Sequence, residues 1–115
     1  MIALKKVQAR FYVSSNGRKP VREWLLGLTP GDRWTIGRDV QRVEFGWPLS
    51  MPYCRSLGKG LWEIRSDLDG GRIARVIFCF AGSDIVLLHG LIKKSQKTPD
   101  SELALAVRRM KDVER

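Results

Sequence analysis

Apolar and polar positions divide this chain into an amphipathic N-terminal part and a β-rich C-terminal part. Val7, Ala9, Phe11 and Val13 alternate with Gln8, Arg10 and Tyr12, the period-two signature of a half-buried strand, and Ser14-Ser15-Asn16-Gly17 ends it. A helix is predicted next, with Pro20 at its start and Val21, Trp24, Leu25 and Leu28 forming one apolar face. A second helix begins at Thr29-Pro30, where Thr can cap and Pro fits the first turn, and carries Ile36, Val40 and Val43 down one side. Gly37 weakens this helix, and Gly46 before Trp47-Pro48 stops it. Residues 48–60, with Pro48, Pro52, Gly58 and Gly60, read as an irregular loop ordered by Met51, Tyr53 and Leu57.

The remainder is organised around residues 61–99. Residues 61–66 are short, β-rich and carry Glu63 and Arg65 in alternation, and Asp69-Gly70-Gly71 supplies the backbone freedom of a tight reversal. Residues 72–80 are almost wholly apolar, Ala81-Gly82-Ser83-Asp84 turns the chain, and 85–92 are apolar again apart from His89. Such runs, too short to span a membrane, predict central strands covered on both faces. Arg75 and His89 interrupt them, and a charge among buried apolar neighbours needs a partner or a polar groove. Thr98-Pro99 repeats the helix-start signature, and Leu103, Val107, Met110 and Val113 line one face of a last helix. Arg108, Arg109, Lys111 and Arg115 near its end suit the helix dipole. The order β-α-α-β-β-β-α, with no repeat or linker, predicts one compact α+β domain over residues 1–115, an antiparallel sheet with helices packed on one side.

Charge narrows the function. Of 115 residues, 21 are Lys or Arg and 12 are Asp or Glu, a net charge of +9, while the apolar fraction of 43% excludes a disordered chain. A small, folded, strongly basic protein predicts a polyanionic partner, most often nucleic acid. No apolar run approaches the ~20 residues of a membrane span and MIALKKVQARF lacks a signal peptide's apolar region, so the expected location is the cytoplasm, with no membrane partner. Cys54 and Cys79 have neither metal-ligand spacing nor a disulfide framework, and there is one histidine, so neither a metal site nor a cofactor is expected. Cys79 reads as a small core residue and Cys54 as part of a polar loop.

The candidate chemistry lies at the end of the third central strand. Lys93, Lys94 and Lys97 fall within five residues there, beside Ser95, Gln96 and Thr98, and the only acidic residue between Arg72 and Lys97 is Asp84, in a turn. With Arg65 and Arg75 from neighbouring strands, this sheet face would attract and orient a phosphate backbone. RNA brings its own nucleophile: a deprotonated ribose 2′-hydroxyl attacks the adjacent phosphorus and expels the 5′-oxygen. A protein assists by taking that proton, stabilising the phosphorane-like charge and protonating the leaving group. Arginine suits only the charge-stabilising part. A lysine crowded by other cations can serve as base, and Glu63 and His89 are alternatives. Glu63 reads equally well as a cross-strand ion pair with Arg65 or Arg75, and His89 as a core histidine satisfied by a backbone group.

Three segments carry a resemblance. Leu61-Trp62-Glu63-Ile64-Arg65, Arg75-Val76-Ile77-Phe78 with Phe80, and Leu87-Leu88-His89-Gly90-Leu91-Ile92-Lys93-Lys94-Ser95-Gln96-Lys97-Thr98-Pro99 resemble the HigB-type, phage-derived host-killer toxins of the RelE/ParE superfamily. Leu91 departs mildly from the pattern, which more often has Phe there. The resemblance implies a small RelE-like fold with two N-terminal helices against the sheet. It also implies a type II toxin: a ribosome-dependent mRNA endonuclease, active without a metal, that blocks translation and is held inactive by a cognate antitoxin, often a helix-turn-helix DNA-binding protein. Its partners would then be that antitoxin, the ribosome and mRNA. On this basis Arg65 and Arg75 would bind the scissile phosphate, Lys93 or Lys94 would be base or electrostatic stabiliser, and Glu63, Gln96 and Lys97 would contact RNA; Arg72, outside the matching segments, is expected to contact RNA through its charge. Two other readings stand beside it: a non-catalytic toxin of the gyrase-inhibiting branch, and a basic RNA- or ribosome-binding module.

Overall fold

The computed structural model describes residues 4–48, 53–93 and 97–114. Its elements are β1 (Gln8–Phe11), α1 (Pro20–Leu26), α2 (Pro30–Gly46), β2 (Cys54–Gly58), β3 (Leu61–Asp67), a 3-10 turn (Asp69–Gly71), β4 (Ile73–Ala81), β5 (Asp84–Lys93) and α3 (Asp100–Val113). The expected order is present with one strand added. β2 lies in the stretch read as a loop, because CRSLG has no alternating apolar face and, as an edge strand, pairs only with β3. Met51 and the last residue of the basic tail, Arg115, lie outside the described residues.

The five strands form one sheet in the order β1-β5-β4-β3-β2. Neighbours from β2 to β5 run antiparallel, whereas β1 runs parallel to β5, with Gln8 opposite Asp84 and Phe11 opposite Leu87. The sheet is therefore mixed rather than antiparallel. After β1 the chain crosses the sheet through α1 and α2, the long connection a parallel pair requires, and returns as a four-strand meander ending beside its starting strand.

The local signals act where the sequence places them. Thr29 Oγ1 accepts a hydrogen bond from the Asp32 amide at 3.3 Å, capping α2, whose last residue is Gly46. The β3–β4 reversal uses Gly70 and Gly71 at φ 76 and 74, left-handed values that glycine adopts without strain. Alternation along β4 sends Ala74, Val76 and Phe78 into one apolar cluster, with Val21 of α1 and Ile36 and Val43 of α2, and Ile77 and Cys79 into another, with Ala106 and Met110 of α3. Helices thus cover both faces: α3 lies opposite α1 and α2, not beside them, because its stripe Leu103, Val107, Met110 and Val113 meets the second cluster. Near the end of the first layer, Trp47 and Trp62 pack edge-to-face with ring centroids 5.1 Å apart. No helix of the described residues is long and apolar enough to cross a membrane.

Polar contacts fix α3 in place. Tyr12 donates its hydroxyl to Asp112 at 2.6 Å, Arg109 Nη1 donates to the Leu88 carbonyl at 2.8 Å, and His89 Nε2 meets the Glu102 carboxylate. Tyr12 is buried while Val13, expected inside, is 50% exposed, since Tyr12 is the residue that faces α3. His89 is engaged by a helix side chain rather than by the backbone group expected from sequence. Arg109 likewise serves docking, beyond any helix-dipole effect.

Two measurable consequences follow from this packing. A Cβ built on Gly90 would lie 2.3 Å from two ring carbons of Trp24, so β5 admits α1 only because position 90 has no side chain. Gly90→Ala is expected to cost about 1–3 kcal/mol, read as a lower urea midpoint with unchanged slope, and Trp24→Leu in the same chain should recover part of it. Both cysteines are free and buried, Cys54 included, because β2 pairs it with Ile64 inside the sheet. Burial pushes both thiols up to about 11. A thiol reagent at neutral pH should leave the native chain unlabelled and modify both after denaturation.

Candidate functional site

The sheet face that holds α3 is apolar toward one end and ionic toward the other. Period-two alternation puts Leu61, Glu63 and Arg65 of β3 on this face, with Arg75 and Ile77 of β4 and Leu91 and Lys93 of β5. Register orders them in rows: Arg55 faces Glu63, Glu63 faces Ile77 and Ile77 faces His89; Arg65 faces Arg75, which faces Leu91; Ile73 faces Lys93. The sheet therefore assembles Arg55, Glu63, Arg65, Arg75 and Lys93, residues spread over 39 positions of sequence, beyond the apolar contacts of α3.

Glu63 is the centre of the cluster. It is 2% exposed, Arg75 1% and Thr98 3%. Arg75 Nε lies 3.3 Å from Glu63 Oε1, Arg75 Nη1 donates to Thr98 Oγ1 at 3.0 Å, and the Thr98 hydroxyl donates to the same Glu63 oxygen at 3.2 Å. Arg55 covers the other oxygen, its Nε and Nη2 donating to Oε2 at 3.2 and 2.8 Å. A carboxylate so buried needs these donors, and between them they occupy both of its oxygens. Burial pulls the Arg75 guanidinium below its ordinary range; Glu63 opposes this, and the charges of Arg65 and Arg55 add to it. Three arginines, Arg55, Arg65 and Arg75, thus lie in or next to the row of one carboxylate, and further along the same face Lys93 shares a row with Asp67 through Ile73, which leaves four cations against two carboxylates on a rigid sheet.

This geometry revises several roles read from sequence. Arg75 is covered by Thr98 and cannot present its guanidinium to a phosphate at the surface; it braces Glu63. Glu63 is likewise buried and does not reach outward as an RNA contact. Arg72 is clamped to Asp32 of α2 through Nη1 and Nη2 at 2.8 and 3.1 Å, away from the cluster, and this fork holds the Asp32 carboxyl below its usual range. Arg65 and Lys93 are half-buried and Lys97 is exposed. Lys94 and Gln96 lie outside the described residues. Two members, Arg55 and Thr98, have no site role that the sequence assigns. Arg55 needs the β2–β3 register to meet Glu63, and Thr98 resembles a helix cap although α3 begins at Asp100, its cap position is Pro99 and no side chain caps it.

A chain with this fold and this cationic face has recognisable kin. Residues 23–111 match the family described as phage-derived protein Gp49-like (DUF891). The chain belongs to the phage-derived Gp49-like family. No curated protein matches it. Gp49-like proteins form a RelE/HigB-like toxin family, and the matched span runs from α1 through nearly all of α3, so it includes every member of the ionic cluster.

Proposed function

We propose that this chain is the toxin of a type II toxin–antitoxin pair, a HigB-type, ribosome-dependent mRNA endonuclease that stops translation. The observation that carries the reading is the excess of cations over carboxylates along the α3 face of the sheet, where Arg65, in the row next to Glu63, and Lys93, further along, are half-buried rather than enclosed. Phosphoryl chemistry on RNA needs positioning and charge stabilisation more than it needs a protein nucleophile. Arg65 grips the scissile phosphate with its fork and stabilises the charge that builds on it. Lys93, next to that row, serves as base or electrostatic stabiliser, with Lys94 beside it in the sequence, and Lys97 grips a neighbouring phosphate. The attacking 2′-oxygen bonds to phosphorus, the bond to the 5′-oxygen breaks, and the ends left are a 2′,3′-cyclic phosphate and a 5′-hydroxyl. His89 is occupied by Glu102 and Glu63 by its three donors, which favours lysine over either as base. A cognate antitoxin, expected to be a helix-turn-helix DNA-binding protein, would silence the chain in the cytoplasm.

Primer extension on a reporter mRNA incubated with translating ribosomes tests the proposal. New 5′ ends should appear with the wild-type chain and ribosomes together and with neither alone. Arrest of translation without new ends would show that the chain acts on some other target.

A further inference from the structure

Trp34 is 66% exposed on the outer side of α2, an unusual position for the side chain with the most apolar area to hide. It does not stand alone. The Arg38 guanidinium lies 5.3 Å from its ring centroid, one turn along the same helix side, and one turn further Arg42 lies 4.5 Å from the ring of Tyr53. Asp39, buried between them, is 3.3 Å from both Arg38 and Arg42 and fixes the two guanidiniums in place. Trp34, Arg38, Arg42 and Tyr53 therefore form a stripe of alternating rings and cations, extending two turns or about 12 Å along α2. Arg38 covers one face of the indole and leaves the rest of an exposed ring to stack on something else.

The stripe ends at the β2 edge of the sheet, on the face opposite the candidate site, where the Tyr53 carbonyl accepts from the Arg65 amide at 3.0 Å; a strand leaving Tyr53 has only that edge to cross to reach Arg65. Successive rings and cations are what a single strand of nucleic acid requires: a π-face for an unstacked base and positive charge for its phosphates.

We infer that the Trp34–Arg38–Arg42–Tyr53 stripe binds the single-stranded RNA flanking the cleaved bond, with a base on Trp34 and phosphates on Arg38 and Arg42, the strand passing over the β2 edge into the cationic face. This rests on the reading of the chain as an RNA-cleaving toxin. Binding of a short fluorescently labelled oligoadenylate to the full chain tests it. Trp34→Ala should weaken binding about tenfold and Trp34→Phe restore most of it, with the melting temperature unchanged. Arg38→Gln with Arg42→Gln should reduce the slope of log affinity against log salt by about 1.4. Unchanged affinity in Trp34→Ala overturns the inference, as does a defect seen only in co-sedimentation with ribosomes, which would make the stripe a ribosome contact. If those variants bind normally while wild type still cuts mRNA, this inference falls and the proposed function stands. A wild-type chain that neither binds the oligonucleotide nor cuts mRNA overturns both.

Discussion

Arg65→Ala should abolish translation arrest, lowering mRNA cleavage on the ribosome by on the order of a hundred- to a thousandfold, while the fold survives. The magnitude is that of losing one preorganised donor to a developing oxyanion. Stability should change little, because Arg65 is half-buried on the sheet surface and has Arg75 directly across from it. Its charge helps to pull the Arg75 guanidinium down, so removing it relieves a repulsion. Arg65→Lys separates charge from shape: the ammonium keeps the field but not the two-pronged grip, and partial activity is expected. The measurements are growth arrest on induced expression, primer extension with ribosomes, and a thermal melt of each variant. A folded Arg65→Ala chain that still arrests growth would remove Arg65 from the site.

The sequence made legible whatever depends on neighbours a few residues apart. The apolar stripes of α1, α2 and α3, the Thr29 cap, the Gly70-Gly71 reversal and the buried central strands are local patterns, and each reappears in the fold. What stayed hidden is non-local. The β1–β5 pair joins residues about 76 apart, as Gln8 with Asp84 shows, and nothing in either strand specifies a parallel partner. β2 has one neighbour and so no two-sided apolar pattern to announce it. The same limit applied to the site. Arg65 and Lys93 stood out through the strands that carry them, but the identity of Glu63's partners depends on register and on the approach of Thr98 from 35 positions away. Arg72 was placed in an RNA groove on charge alone, and only the tertiary fold reveals Asp32 as its partner.

Arg75→Met should be the most destabilising change in the cluster, by about 3–5 kcal/mol, because it leaves the buried Glu63 carboxylate without the guanidinium beside it and takes away the donor to the Thr98 oxygen. For a chain of this size that corresponds to a fall in melting temperature of roughly 10–20 °C. The cost belongs to breaking the pair rather than to the pair itself. Replacing both charges by apolar groups, Glu63→Leu with Arg75→Met, should therefore recover part of the loss, as buried ion pairs exchanged for packed side chains commonly do, less the cost of a buried Thr98 hydroxyl that loses both bonds. Activity should not return with stability. Arg55 is oriented only through its two bonds to Glu63 among its described contacts, and in the double variant it is a half-exposed cation with no carboxylate to hold it at the site. A stable double variant with full cleavage would make the Glu63–Arg75 pair a feature of the core alone. A stable but inactive one would show that the buried pair exists to position the cations above it.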